Sequence, residues 1–476
     1  MRPVTAMDAA FLYFETPTMH MHVVGVLVLD TSAVPDVIDV IAVRALLGQR
    51  IHLIPPLRRR VVMSPDGLGR PQWAEDPDFD LADHVMAAPL PAPVSWPELE
   101  HFVGEVAGRP LERGKPLWEM WVVGGLADGS LALVTKLHHS IMDGGAGGDL
   151  MASLFDLDPG ATTVVPEDPP WKADVLPSRA ERALWSLRSM PRFAWNAPGA
   201  LTRTARSLAG TSHAWLRLRA TGEAAPLTAP RTILNGAITS HRSVSLTRVP
   251  LDDVLEVRRA FGTTVNDVVL AATATALRRY LADRGGLVDR PLIAAVPVNA
   301  RADGATDGGN TQISNMMVPL ALGPDDPVQR LSAVHAQAMA SKALLSAFGP
   351  QSLQMVAGFL TPVVATAGAR LYCGLRLARL HRPVINLIVS NVPGPPVDLY
   401  CAGAKVTGIF PMGPVFEGAG LNVTVLSEAH HLNVGIMACP ELVPGVDELG
   451  AGFVAAIDEL TGLARSEDRD KSPATR

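Results

Sequence analysis

Two adjacent histidines, His138 and His139, are followed by Asp143 and Gly144, so a base, an acid and a permissive turn fall within residues 138–144. An imidazole with its ordinary pKa of about 6.5 accepts a proton at neutral pH and returns it within one turnover, as acyl transfer requires. Neighbouring side chains on a strand point to opposite faces, so one histidine of the pair faces a given cavity while the other packs. Spacing alone also allows a plainly packed loop. Asp143 lies across a tight turn, too near in sequence for triad geometry to be assumed. It is expected to brace the loop, by pairing with an arginine or capping the following helix. Other chemistries find less support. A zinc site would draw on the same pair plus His20, His22, His430 or His431, but no HExxH or His-Cys cluster accompanies them, and no metal site is expected. The GxSxG elbow of serine nucleophiles is missing, as are GxGxxG and a GK[ST] phosphate loop.

The elements that must position these residues follow from periodicity. Leu131, Ala132, Leu133, Val134 and Leu137 predict a short buried strand ending at the histidines, and the glycines at 144, 145, 147 and 148 let the chain turn into a helical run Asp149–Phe155. Upstream, Met21–Leu29 reads as a strand, Pro35–Leu47 as a helix stopped by Gly48, and Trp96–Ala107 as a helix. Residues 1–158 therefore read as an α/β domain. From 159 to 232 the composition turns to Pro, Ala, Arg and Trp without strand character, and the helical fragment Arg179–Met190 lies within it. This stretch is expected to be a crossover linker. Its Trp185, Phe193, Trp195 and Trp215, interleaved with arginines, fit a membrane-touching segment or helices packed on the domains. A second domain, 233–463, restarts with a strand Ser243–Val249 and a helix Leu251–Phe261. A longer helix from Val265 follows, stopped by Gly285 and Gly286. Pro291–Val298 and Val384–Ser390 read as buried strands, and alternating residues around 421–425 and 432–436 as a hairpin. The polar tail 464–476 is expected to be disordered.

A chain of 476 residues exceeds what one core usually supports, in keeping with two domains. With 47 acids against 41 bases there is no basic excess, which argues against nucleic acid as the main partner. Three scattered cysteines without CxxC spacing and no apolar leader before Asp8 predict a cytoplasmic protein. A hydrophobic content of 48% hints at a lipid-facing surface. The greasiest run, Val356–Ala369, is too short to span a bilayer and predicts a buried or interfacial helix.

Longer motifs carry a resemblance. Met7-Asp8-Ala9-Ala10-Phe11-Leu12 with Glu15-Thr16-Pro17, Pro116-Leu117-Trp118, the HHxxxDG segment, Asn235-Gly236, Asn266-Asp267, Val296-Pro297-Val298-Asn299-Ala300-Arg301, Gly309-Asn310, Ser314-Asn315 and Ser390-Asn391-Val392-Pro393-Gly394-Pro395 occur in this order. The chain resembles, nearly end to end, the bacterial wax ester synthase/diacylglycerol acyltransferase (WS/DGAT) family. That family sits within the CoA-dependent acyltransferase superfamily of chloramphenicol acetyltransferase and peptide condensation domains. The resemblance implies a two-domain α/β fold of the chloramphenicol acetyltransferase type, with the active site in a channel at the domain interface. It implies His139 as the general base, with His138, Asp143, Gly144 and Arg301 supporting the motif and Arg301 as the partner of Asp143. Asn266, Asp267, Ser390 and Asn391 become candidate channel or oxyanion groups. Asp267, in the first turn of its helix, has an equally good role against the helix dipole. At Asn299 the family often has a serine. The implied partners are long-chain acyl-CoA as substrate, diacylglycerol or a fatty alcohol, and a membrane or lipid-droplet surface, with no cofactor. Two alternatives are condensation of carrier-bound amino acids, which shares HHxxxDG, and a non-catalytic lipid-binding protein on the same fold.

Overall fold

The structure, a computed structural model, describes residues 1–34, 38–65, 69–141, 155–160, 167, 171–185, 229–300, 312–348 and 362–471. The first half supplies β1 (Arg2–Pro3), α1 (Ala6–Phe14), β2 (His22–Asp30), α2 (Val40–Arg50), β3 (Arg59–Val62), β4 (Gln72–Glu75), β5 (Val85–Ala87), α3 (Trp96–Gly108), β6 (Trp118–Val123) and β7 (Leu131–His138). The second half begins with β8 (Ser243–Pro250), α4 (Leu251–Ala260), α5 (Val265–Asp283), β9 (Leu292–Ala300), β10 (Gln312–Leu320), α6 (Pro327–Phe348) and α7 (Pro362–Gly374). It closes with β11 (Leu387–Pro393), β12 (Tyr400–Cys401), β13 (Ala404–Met412), β14 (Leu421–Ser427), β15 (His431–Ala438) and α8 (Val446–Lys471).

The predicted strand before the histidines is β7, and it lies inside a six-stranded mixed sheet of order β12-β13-β2-β7-β6-β5. Its continuous apolar run fits a strand covered on both faces. β7 pairs antiparallel with β2, bringing His138 opposite His22, and with β6, bringing Leu137 opposite Trp118. Two strands of this sheet come from far along the chain. β13 pairs antiparallel with β2 from Lys405 opposite Asp30 to Met412 opposite Val24, covering what would otherwise be an exposed edge. Hydrogen bonding therefore crosses the sequence boundary at 232/233: a strand from the C-terminal half completes the N-terminal sheet.

The second six-stranded sheet, β10-β9-β11-β14-β15-β8, carries α4, α5, α6 and α8 over a core that includes Leu270, Leu277, Leu292, Leu331 and Phe453. The β14–β15 hairpin is as expected, but its polar face is not solvated. Asn422 and Thr424 are buried and hydrogen-bond to Pro414 O and to each other, because that face meets the other half of the molecule. There β15 and β13 cross so closely that a Cβ at Gly435 would run into the Pro411 carbonyl. The edge strand β8 is covered by α3, with Trp96 Nε1 donating to Leu246 O at 3.1 Å and Leu246 N donating to Glu100 at 2.7 Å. A third core cluster, in which Val24, Val26 and Phe102 meet Leu246, Phe410 and Met437, knits the halves together.

Some boundaries differ from the expectation. Gly48 does not stop α2, which is capped by Asp39 and runs to Arg50, whose guanidinium reaches Asp156 at 2.7 Å. Nor is the tail after Leu463 uniformly disordered: α8 continues to Lys471, with Ala464 buried and Arg465 paired to Asp253 and Glu256 on α4. β11 starts at Leu387 and runs through Asn391 to Pro393, past the expected strand end at Ser390. The predicted helical fragment is helical over 179–185, and the rest of it, with Phe193, Trp195, Trp215 and residues 149–154, lies outside the described residues. Among the described residues no single helix is long and apolar enough to cross a membrane.

Candidate active site

The histidine pair sits where β7 ends and a single 3-10 turn, His139–Ile141, begins. Both neighbouring segments clamp this point, with His138 N donating to Leu117 O at 2.9 Å and His139 N to Met21 O at 2.8 Å. The Pro116-Leu117-Trp118 motif thereby acquires a physical role, since Trp118 Nε1 in turn donates to Leu57 O at 2.8 Å.

The two rings go to different surroundings, as strand geometry requires. His138 is fully buried. Its Nδ1 accepts from Ser140 N at 3.1 Å and lies 2.7 Å from Ser140 Oγ, so the proton of the neutral ring sits on Nε2. Nε2 points to Glu15 Oε2, 3.5 Å away. Arg113 bonds the same carboxylate oxygen and also donates to Leu12 O at 3.0 Å. Burial pushes the Glu15 carboxyl up, but His138 and the Arg113 guanidinium outweigh it and hold it below the usual carboxylate value. Burial likewise depresses His138, and Glu15 opposes that shift.

His139 is the less engaged ring. It stacks on Phe11 with centroids 4.0 Å apart and planes 16° from parallel, keeps partial exposure, and has no hydrogen-bond partner for Nδ1 among the described residues. Burial lowers its pKa to about 4, and the neighbouring His138 pushes it the same way. At neutral pH His139 is therefore an uncharged imidazole with one unprotonated ring nitrogen.

Behind His138 stands a wall of further neutral histidines. His22 meets His138 edge-on with centroids 5.9 Å apart, and His20 stacks on His22 at 5.4 Å. Desolvation lowers His20 to about 4 and His22 well below its ordinary value. They line a small cavity in the seam between the halves together with Arg242, Val415 and Met437. Lys136, also on β7, is fully buried and satisfied by Val106 O, Arg109 O and Glu119 at 2.6 Å. Among the described residues no cluster of three or more His, Cys, Asp or Glu is arranged to hold a metal ion.

The other predicted site residues fall into three groups. Asp143, Gly144 and Arg301 lie outside the described residues, and so does their expected pairing. Asp267 completes the capping box of α5 with the N-cap Thr264: it accepts from Thr264 N at 2.9 Å and Thr264 Oγ1 at 2.7 Å, and holds His335 Nδ1 at 2.8 Å. Its carboxylate is thus occupied structurally, and Asn266 beside it is partly buried. Ser390 and Asn391 lie partly buried on β11, opposite Thr424 and Val425 of β14. Among the described residues no hydrogen bond or ion pair joins these four to His138 or His139. Sequence reasoning missed Glu15, Arg113, Phe11 and Ser140 as surroundings of the histidine pair. Glu15 and Phe11 belong to the N-terminal motif, and an acid directly after a buried helix was the available clue. Arg113 carried none.

Comparison with known proteins identifies the family. A profile described as the wax ester synthase/diacylglycerol acyltransferase catalytic domain matches residues 4–269, and one described as the WS/DGAT C-terminal domain matches residues 309–461. The chain belongs to the WS/DGAT family. A Mycobacterium tuberculosis protein whose name carries a provisional diacylglycerol O-acyltransferase assignment is 36% identical over 98% of this chain and 91% of its own. A second from that organism, with the same provisional assignment, is 33% identical over 98% and 97%. Among solved structures, the wax ester synthase/diacylglycerol acyltransferase from Marinobacter aquaeolei superposes with a TM-score of 0.70 at 26% identity, over 98% of this chain and all of that one. The first condensation domain of the CDA synthetase, at TM-score 0.56 and 16% identity, shares the fold alone. This WS/DGAT chain is thus an acyltransferase on a two-domain α/β scaffold.

Proposed function

We propose that this WS/DGAT protein transfers the acyl group of a long-chain acyl-CoA to the free hydroxyl of diacylglycerol, giving triacylglycerol, with fatty alcohols as alternative acceptors that yield wax esters. His139 accepts the hydroxyl proton as the oxygen attacks the thioester carbonyl. The new C–O bond forms, the C–S bond breaks, and the proton passes from His139 to the departing CoA sulfur, so that no acyl-enzyme is required. The single observation that supports this assignment is the contrast between the rings: His138 is fully buried, bonded to Ser140 at Nδ1 and faced by Glu15 at Nε2, whereas His139 keeps partial exposure and is stacked on Phe11. A positioned base contributes about 10²- to 10⁴-fold, and orientation and stabilisation of the tetrahedral oxyanion supply the remainder.

The enzyme then works in the cytoplasm, peripherally on a membrane or lipid droplet, because its acceptor is dissolved in such a surface. The test is thiol release from palmitoyl-CoA, which should depend on added diacylglycerol or fatty alcohol. His139→Ala should lower kcat by about 10²-fold or more with the fold intact by circular dichroism. Unchanged turnover in a folded His139→Ala variant would reject the assignment of the base.

A further inference from the structure

Between Pro327 and Val397 the chain has no Asp or Glu, yet it carries Arg330, Lys342, Arg370, Arg376, Arg379 and Arg382, in a protein whose net charge is −6. Four of these arginines belong to α7 and the turn after it. The inner side of α7 is occupied, with Ala365 buried in the core of the first half and Cys373 packed against the seam cluster. The outer side is not. Leu371, Leu375 and Leu380 are 59%, 60% and 79% exposed, among the exposed Arg370, Arg379 and Arg382.

The turn is held in a defined shape. Arg231 donates to the carbonyls of Ala378, Arg379 and His381, and Tyr372 Oη lies 2.5 Å from His381 Nε2. Glu417 is the acid that faces Arg376 and Arg379 from a neighbouring segment, which leaves Arg370 and Arg382 without that counter-charge. α7 packs on α1, and α1 carries Phe11, on which His139 stacks. The exposed face is therefore one helix removed from the proposed base.

We propose that this face, 370–382, docks the protein on an anionic lipid surface, with the three leucines entering the acyl boundary and the arginines meeting lipid phosphates. The inference rests on the acceptor being a lipid and names the surface through which the enzyme reaches it. Arginines alone would equally suit a soluble phosphate ligand. Three leucines exposed between them would gain nothing from such a ligand, whereas a membrane interface takes up both kinds of side chain at once. Arginine also pairs well with phosphate oxygens through its planar fork.

Flotation of the full chain with vesicles of phosphatidylcholine, alone or with phosphatidylglycerol added, tests this. Wild type should float with the anionic vesicles, float poorly with the neutral ones, and be released by salt. The combined variant Leu371→Gln/Leu375→Gln/Leu380→Gln, and separately Arg370→Gln/Arg379→Gln/Arg382→Gln, should each lower partitioning by about tenfold or more. Both should melt like wild type and keep thiol release with a water-soluble alcohol within about twofold, since the altered residues are exposed. Ile41→Gln, at a residue 69% exposed elsewhere on the protein, should leave flotation unchanged. Docking is overturned if the folded leucine variant floats like wild type, if wild type binds neutral vesicles equally and regardless of salt, or if it binds neither and the face instead serves a protein or soluble phosphate. A wild type that floats but releases no thiol with any acceptor overturns the acyl-transfer reading and leaves docking standing.

Discussion

The protonation of His139 offers the sharpest test of the site. In the free enzyme its pKa is held at about 4, below the ordinary 6.5, chiefly because the imidazolium would lose its hydration between Phe11 and β7. If His139 is the base, the acid limb of kcat/KM, which reports the free enzyme, follows this group. With a pKa of about 4, about nine-tenths of the molecules hold a neutral His139 at pH 5, whereas an unperturbed histidine would be only about 3% neutral there. Activity per folded molecule should therefore stay near its plateau down to pH 5. Phe11→Ala admits water to the ring and should move the limb up toward 6.5, at a stability cost of about 2 kcal/mol because Phe11 is itself only partly buried. The assay is thiol release under kcat/KM conditions between pH 5 and 7.5, in steps of about half a unit, with the folded fraction followed by circular dichroism. That control is needed because the same burial makes the protein acid-labile. Unfolded histidines bind protons near 6.5 and the folded His20 and His139 only near 4, so the unfolded chain holds more protons in this window. The stabilising contribution is complete above 6.5 and is lost as pH falls toward 4. A wild-type limb at 6 to 6.5 in folded protein, or one that ignores Phe11→Ala, would refute either the burial of His139 or its role as base.

Two further substitutions separate positioning from scaffolding. Glu15→Gln removes the carboxylate shared by His138 and Arg113; because the Arg113 side chain is 37% exposed and partly screened, stability should fall by only about 1 to 2 kcal/mol. Its larger effect should be on kcat, by about tenfold with KM little changed, and equal kcat in a folded variant would remove Glu15 from the alignment of the histidine pair. Asp267→Ala removes the carboxylate half of the α5 capping box and the partner of His335, so thermal unfolding should report a loss of about 2 kcal/mol while turnover per folded molecule stays within a few-fold. A large drop in kcat without loss of stability would instead place Asp267 in the chemistry.

Local order along the chain was legible because it is written in short-range patterns. The apolar run 131–137 and the helical repeat from Val268 to Leu281 are buried, and α5 ends at Asp283, two residues before Gly285, whose φ of +62° only glycine adopts at little cost. A glycine alone was a poorer guide at Gly48, where the Asp39 cap and the Arg50–Asp156 pair carry α2 past it. The polar tail misled for a similar reason, since Arg465 finds Asp253 and Glu256 only once α4 lies beside α8.

The sequence by itself determined the HHxxxDG segment at the end of a buried strand, the two-domain α/β class and the family, since strand period, capping residues and ordered motifs are all local text. Only the tertiary structure decided which histidine is fully buried and which keeps partial exposure. His138 and Arg113 both meet Glu15, and His139 meets Phe11, through contacts between residues about a hundred or more positions apart. It also decided that β13 closes the sheet carrying β7, because an exposed β2 edge pairs with whatever strand the fold brings beside it, and no local pattern in 404–412 names β2 as that partner.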